Sequence, residues 1–142
     1  VAWERYMQTI ESIAYRETSV SFAECDRRGV LFWRYKPGVE VTLTEAQEEI
    51  DAFLPLIQEH LGGQSLLLID IRAMKSITRA ARNIFAAKHT HEVGGVRGLA
   101  LVLDSPISVT IGNIYQRINR TIHPTRLFRS EEQALNWLLQ LN

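Results

Sequence analysis

Cysteine is nearly absent: Cys25 is the only one in 142 residues. A single thiol excludes an internal disulfide framework and any multi-thiolate metal site. Cys25 lies between Glu24 and Asp26, neighbours that disfavour a thiolate, so it reads as a packing residue and not as a nucleophile. Glycine and proline are sparse, at 8 and 4 residues, and no tract has low complexity, so no flexible linker is expected. No apolar run approaches the roughly 20 residues of a membrane-spanning helix. The first segment, VAWERYMQTIESIAYRETSV, lacks the continuous apolar core of a secretion signal. A cytoplasmic location is the expectation. The dinucleotide loop GxGxxG, the phosphate loop GxxxxGK[ST] and the nucleophile elbow GxSxG are also missing, and nothing calls for a cofactor.

What is present is enough for one domain with a real core: 46% of the residues are hydrophobic. The formal net charge is zero but unevenly spread. Residues 37–71 hold seven acids, Glu40, Glu45, Glu48, Glu49, Asp51, Glu59 and Asp70, and no Lys or Arg. Residues 72–129 hold ten Lys or Arg against Glu92 and Asp104. This asymmetry suggests separate acidic and basic faces, unless folding brings the two together.

The periodicity predicts an order of elements. AWERYMQTIESIAY places Trp3, Met7, Ile10 and Ile13 or Ala14 at helical spacing, an N-terminal amphipathic helix over residues 1–17. TSVSFAEC and VLFWRYKPG read as two strands joined by a hairpin at Arg28-Gly29, and Lys36-Pro37-Gly38 marks the next turn. Thr44 is the expected N-cap of a helix, with Gln47 closing a capping box. Its apolar stripe is Ala46, Ile50, Phe53 or Leu54, and Ile57; Pro55 interrupts it and Gly62-Gly63 ends it. SLLLIDI and GLALVLD are continuous apolar runs typical of strands covered on both faces. A helix from about Thr78 to His89, another after DSPIS, the short strand TRLFR and a last helix capped by Ser130 complete the order. Alternating strands and helices after a hairpin imply an α/β domain, residues 18–142, with a mixed sheet and crossover helices.

Four stretches carry a resemblance: GVLFWRYKPGVEVTLTEAQE, LLLIDIRAMKSITRAAR, LALVLDSPISVTIGNIY and HPTRLFRSEEQALNWL. Together they resemble bacterial domains of unknown function in the SpoIIAA-like, or STAS-like, superfamily, over roughly residues 18–141. The resemblance implies a SpoIIAA-like mixed β-sheet with crossover helices. In the anti-sigma-factor antagonists of that superfamily, the loop after a central strand carries Asp-Ser-Ser-Gly, whose first serine is phosphorylated. The matching segment here is Thr78-Arg79-Ala80-Ala81, so Arg79 falls on the phosphoacceptor. The resemblance therefore implies the fold and a regulatory role without that phosphoswitch. Ser76 and Thr78 are the remaining hydroxyls near the turn, with helix capping as their ordinary role.

The candidates for chemistry are few. His89 and His91 could share one side of an extended segment, but no further ligand completes a metal site, and a polar helix terminus is the simpler reading. His60 and His123 have no evident base beside them in sequence. Asp70 and Asp104 each end an apolar strand and could meet at one edge of the sheet as an acid–base pair, although a strand-end Asp is an ordinary turn residue. The aromatic strand with Phe32, Trp33 and Tyr35 reads as core or interface packing. A neutral chain without a zinc-finger or RNP signature is not expected to bind nucleic acid.

The favoured reading is a noncatalytic regulatory or protein-interaction module, with a protein partner or a homodimer. Its recognition surface would hold Arg72, Lys75, Ser76, Thr78, Arg79 and Arg82, cations set where a helix normally prefers acids. The alternative is binding of a small anion or an acidic lipid headgroup at the same residues, aided by free amides at the helix start. An enzyme using the strand-end carboxylates is the third reading.

Overall fold

The run SLLLID is buried at every position, because a strand in the middle of a parallel sheet has both faces covered. The computed structural model describes residues 11–87, 95–105, 110, 113 and 123–142. Within them, the strands are β1 (Ser12–Glu17), β2 (Ser21–Asp26), β3 (Val30–Tyr35), β4 (Glu40–Val41), β5 (Ser65–Asp70), β6 (Ser76–Ile77), β7 (Val96–Val102) and β8 (Thr125–Phe128). The helices are α1 (Leu43–His60), α2 (Arg79–Ala86) and α3 (Glu131–Leu139). Six strands form one sheet in the order β1-β2-β3-β5-β7-β8. The first three are antiparallel, and β3, β5, β7 and β8 run parallel. A small parallel ladder of β4 and β6 stands apart and sets Glu40 opposite Ser76 and Val41 opposite Ile77.

Alternation along the strands divides the core into two layers. Leu31, Trp33 and Tyr35 of β3 point toward α1 and α2 with Leu67, Ile69, Leu99 and Leu101. Val30 and Phe32 point the other way, with Leu66, Leu68, Ala100 and Val102, onto Ala134, Leu135 and Leu138 of α3. Trp33 meets Phe53 and Phe85 edge-on at centroid distances of 4.8 and 5.6 Å, so the aromatic strand is core packing as its composition implied. Gly29 has φ +90° in the hairpin turn, where a side chain would be strained.

The predicted N-terminal helix does not extend through residues 12–17. These form β1, paired antiparallel with β2 at the edge of the sheet, and residues 1–10 lie outside the described set. The helical spacing of Ile10, Ile13 and Ala14 misled, because β1 is largely exposed and carries no alternating apolar signal. Helix α1 begins two residues earlier than expected, with Thr42 as N-cap and its hydroxyl on the Glu45 carboxylate. Pro55 lies inside α1 without ending it, and the chain turns at Gly62 and Gly63, both with positive φ. Helix α2 ends at Ala86; of the predicted helix after DSPIS only Thr110 and Asn113 are among the described residues, both helical, and the His89/His91 pair lies outside them.

Candidate functional site

The loop that follows β5 leads through β6 into α2 at the carboxyl ends of the parallel strands, the edge where open α/β sheets present ligand sites. Its two-residue β6 leans on β4, and backbone bonds from Gly38 to Ala73 and from Lys75 to Val39 tie the two segments together. Thr78 caps α2, its hydroxyl accepting from the Ala81 N–H at 3.2 Å. The capping role expected for this hydroxyl is therefore the one it performs.

The six residues singled out from sequence are placed differently. Arg72 folds back on Asp70, donating from Nε and Nη2 at 3.0 and 2.7 Å. Its charge is spent on that carboxylate. Lys75 is exposed and stands 3.5 Å from Glu40. Ser76 is half-buried in the β4–β6 ladder. Arg82 donates to the Ile77 carbonyl at 3.0 Å, satisfying an acceptor just before the helix. Arg79 is exposed at the first position of α2 and makes no ion pair among the described residues. The loop thus presents Arg79 exposed and Lys75 against Glu40, not a six-membered basic cluster.

Behind this loop, on the α3 face of the sheet, lies a charge network that the sequence did not reveal. Arg34 of β3 grips Glu131, the first residue of α3, with bonds of 2.9–3.2 Å. Asp70 is hydrogen-bonded to Glu131 as well as to Arg72. Burial pushes the Asp70 carboxyl up, but the Arg72 and Glu131 bonds outweigh it and hold Asp70 below the usual range. Burial and the Asp70 carboxylate raise Glu131 above the usual range despite the Arg34 bonds. Each acid therefore has an arginine, and Glu24 lies 3.9 Å from Arg34. Asp104 adds its charge near Arg72. The expected pair of Asp70 and Asp104 is not joined by a hydrogen bond among the described residues; the acid that meets Asp70 is Glu131, at the start of α3. The signal for Glu131 was its place after the Ser130 cap, whose hydroxyl accepts from Gln133 N–H at 3.2 Å.

A second missed acid is Glu49. It counted as part of the acidic face, yet it is wholly buried on the inner side of α1. Its Oε2 accepts from Ser21 Oγ at 2.6 Å and Trp33 Nε1 at 2.7 Å, and Tyr35 OH lies 3.2 Å from Oε1. Burial raises this carboxyl to about 7 against those three donors. Ala46, Glu49, Phe53 and Leu56 form one buried helical stripe, so the position was a core position occupied by an acid. The two charge blocks also cancel partly in space, as Glu40 meets Lys75 at 3.5 Å and Asp70 meets Arg72 at 2.7 Å.

Other candidates lose their chemical reading. Cys25 is buried and its thiol is pushed up to about 11 by desolvation, far from a reactive thiolate. His123 is buried, lowered by desolvation and in contact with Thr125 Oγ1 at 3.3 Å. His60 lies 3.7 Å from Glu59 at the end of α1. Among the described residues no group of three His, Cys, Asp or Glu could hold a metal ion, and no helix is long and apolar enough to cross a membrane.

Comparison with solved structures supports the fold. One similar structure is an uncharacterised protein of the DUF3478 family with a SpoIIAA-like fold from Shewanella loihica PV-4. It has TM-score 0.55 and 17% identity, covering 88% of this chain and 90% of that one. Another is the anti-sigma factor antagonist SpoIIAA in its unphosphorylated form, with TM-score 0.57 and 14% identity, covering 88% of this chain and 97% of that one. No curated protein matches the chain in sequence. The mixed sheet with helices on both faces is thus a SpoIIAA-like fold. The model of a domain of unknown function, DUF7793, matches residues 24–142, and the chain belongs to that family.

Proposed function

We propose that this domain is a noncatalytic regulatory module that binds a protein partner through the surface around the start of α2, and that it acts in the cytoplasm. The observation that carries the reading is Arg79. It stands exposed at the first position of a capped helix, a site where an acid would be favoured, while its neighbours Arg72 and Arg82 are engaged within the domain. A cation kept there against local preference costs stability and is explained by an acidic group that it meets on a partner. The fold resemblance agrees, since one similar structure is an anti-sigma factor antagonist. The carboxylates nearest the loop are bound to arginines, which favours recognition over acid–base work.

A small anion or lipid headgroup would use the same cations, so the test must separate the two. The wild-type chain and a Lys75→Glu/Arg79→Glu variant are used for affinity capture from cells of the source organism, and the recovered partner is purified and titrated by calorimetry. The variant should melt at the wild-type temperature and bind at least about tenfold more weakly, the scale of a lost charge-assisted contact. Equal affinity would refute the surface. Competition by inorganic phosphate at low millimolar concentration would assign it to an anion instead.

A further inference from the structure

The far edge of the sheet holds a second surface unlike the first. A groove of about 580 Å³ runs between β8 and the outer flank of α3. Its floor is apolar, with Phe128 and Trp137 packed at a ring distance of 5.6 Å. One wall is a stripe of amides, Gln133 and Asn136 on α3 and Gln140 at its C-cap, spaced to share one side of the helix. The other wall carries Arg126 and Arg129. The Arg126 guanidinium lies 5.6 Å above the Phe128 ring, and neither arginine forms an ion pair among the described residues. No acid lines the groove.

The backbone at this edge completes the chemistry. β8 pairs in parallel with β7 on one side only among the described residues. Leu99 N–H donates to Pro124 C=O at 2.9 Å and Leu103 N–H donates to Phe128 C=O at 3.0 Å. Alternate residues of a parallel strand face the same neighbour, so Pro124, Arg126 and Phe128 turn their backbone toward β7. Leu127, between them, turns its N–H and C=O outward at the edge beside the groove, while its side chain packs on the opposite face of the sheet, in the α1 layer. A row with an outward backbone pair, flanking amides and two cations matches an extended chain that brings its own backbone and negative charge.

We propose that this groove takes an extended acidic peptide segment of a partner, added as a strand beside β8. The peptide backbone pairs with Leu127, its acidic side chains reach Arg126 and Arg129, and its apolar side chains lie on Phe128 and Trp137. This surface lies on the α3 side of the sheet and stands independently of the one around Arg79.

The test uses the full chain labelled with nitrogen-15 and a blocked peptide, Glu-Val-Glu-Val-Glu-Val-Glu. Titration should shift the amides of Leu127 and Arg129, the side-chain amides of Gln133, Asn136 and Gln140, and the Trp137 indole. The matching peptide with Lys in place of Glu should leave them still. Arg126→Glu/Arg129→Glu should weaken the peptide about tenfold or more. Leu127→Pro is the sharper variant. It removes the outward N–H while the β7 ladder keeps its bonds through residues 126 and 128, and proline is tolerated on an edge strand in that orientation. A Leu127→Ala variant, which trims the same side chain but keeps the N–H, controls for lost packing. Loss of binding in Leu127→Pro with retention in Leu127→Ala supports strand addition. Equal binding by wild type and Leu127→Pro overturns it. So do shifts confined to residues 75–82, or the same shifts from inorganic phosphate alone, which would mark a simple anion site.

Discussion

Replacing Glu49 with Gln should flatten the pH dependence of stability. Glu49 is completely buried, and its carboxyl is raised from the ordinary 4.5 to about 7, chiefly by desolvation. Between those two values the folded chain keeps the proton that the unfolded chain has given up. Stability from this group is therefore fully present below pH 4.5 and is lost as pH rises through about 7. At 1.36 kcal/mol per unit, the loss across that window is about 3 kcal/mol. Glutamine has the same shape and no charge. Its oxygen can accept from Ser21 and Trp33, and its NH₂ can donate to Tyr35. Urea unfolding at pH 4 and pH 8, followed by circular dichroism and Trp fluorescence, should show the variant gaining about 3 kcal/mol on wild type between the two. Glu131 and His123 also titrate, with opposite signs, but they are common to both chains and cancel in the difference. Parallel stability curves for Glu49→Gln and wild type would refute the reasoning.

Two further outcomes follow from the described contacts. Arg34→Ala leaves Glu131 and Asp70 as neighbouring buried acids with one arginine fewer. It should cost about 3 kcal/mol in urea unfolding at pH 7, and the double variant with Glu131→Gln should recover part of that loss; a cost below about 0.5 kcal/mol would show that the network is inert. Cys25, buried with its thiol raised to about 11, should react with a thiol reagent only on unfolding, so its labelling rate should rise with urea; rapid labelling of the native chain would contradict its burial.

Much of the fold was legible because local signals agreed. The apolar runs of β5 and β7, the glycine turn at Gly29 and the Ser130 cap of α3 each have one physical reading, and the structure follows them. β1 was not legible, since an exposed edge strand needs no alternation and its few apolar residues fell at helical spacing. β4 and β6 are two residues each, too short to leave a pattern. Thr42 with Glu45 and Thr44 with Gln47 both have capping-box spacing, and local sequence could not choose between them as the cap. The charge network was hidden for a different reason: Arg34 and Glu131 are 97 residues apart and meet only because β3 and α3 pack together. Glu49 was hidden among acidic neighbours, although its place on the buried stripe of α1 marked it. The loop cations were visible in sequence, but not that Asp70 would claim Arg72 or that Ile77 would hold Arg82.

The most direct measurement is hydrogen exchange of the domain alone and bound to its captured partner. The account predicts new protection at residues 75–82, lost together with binding in the Lys75→Glu/Arg79→Glu variant. Exchange at 75–82 that is unchanged on binding would contradict it.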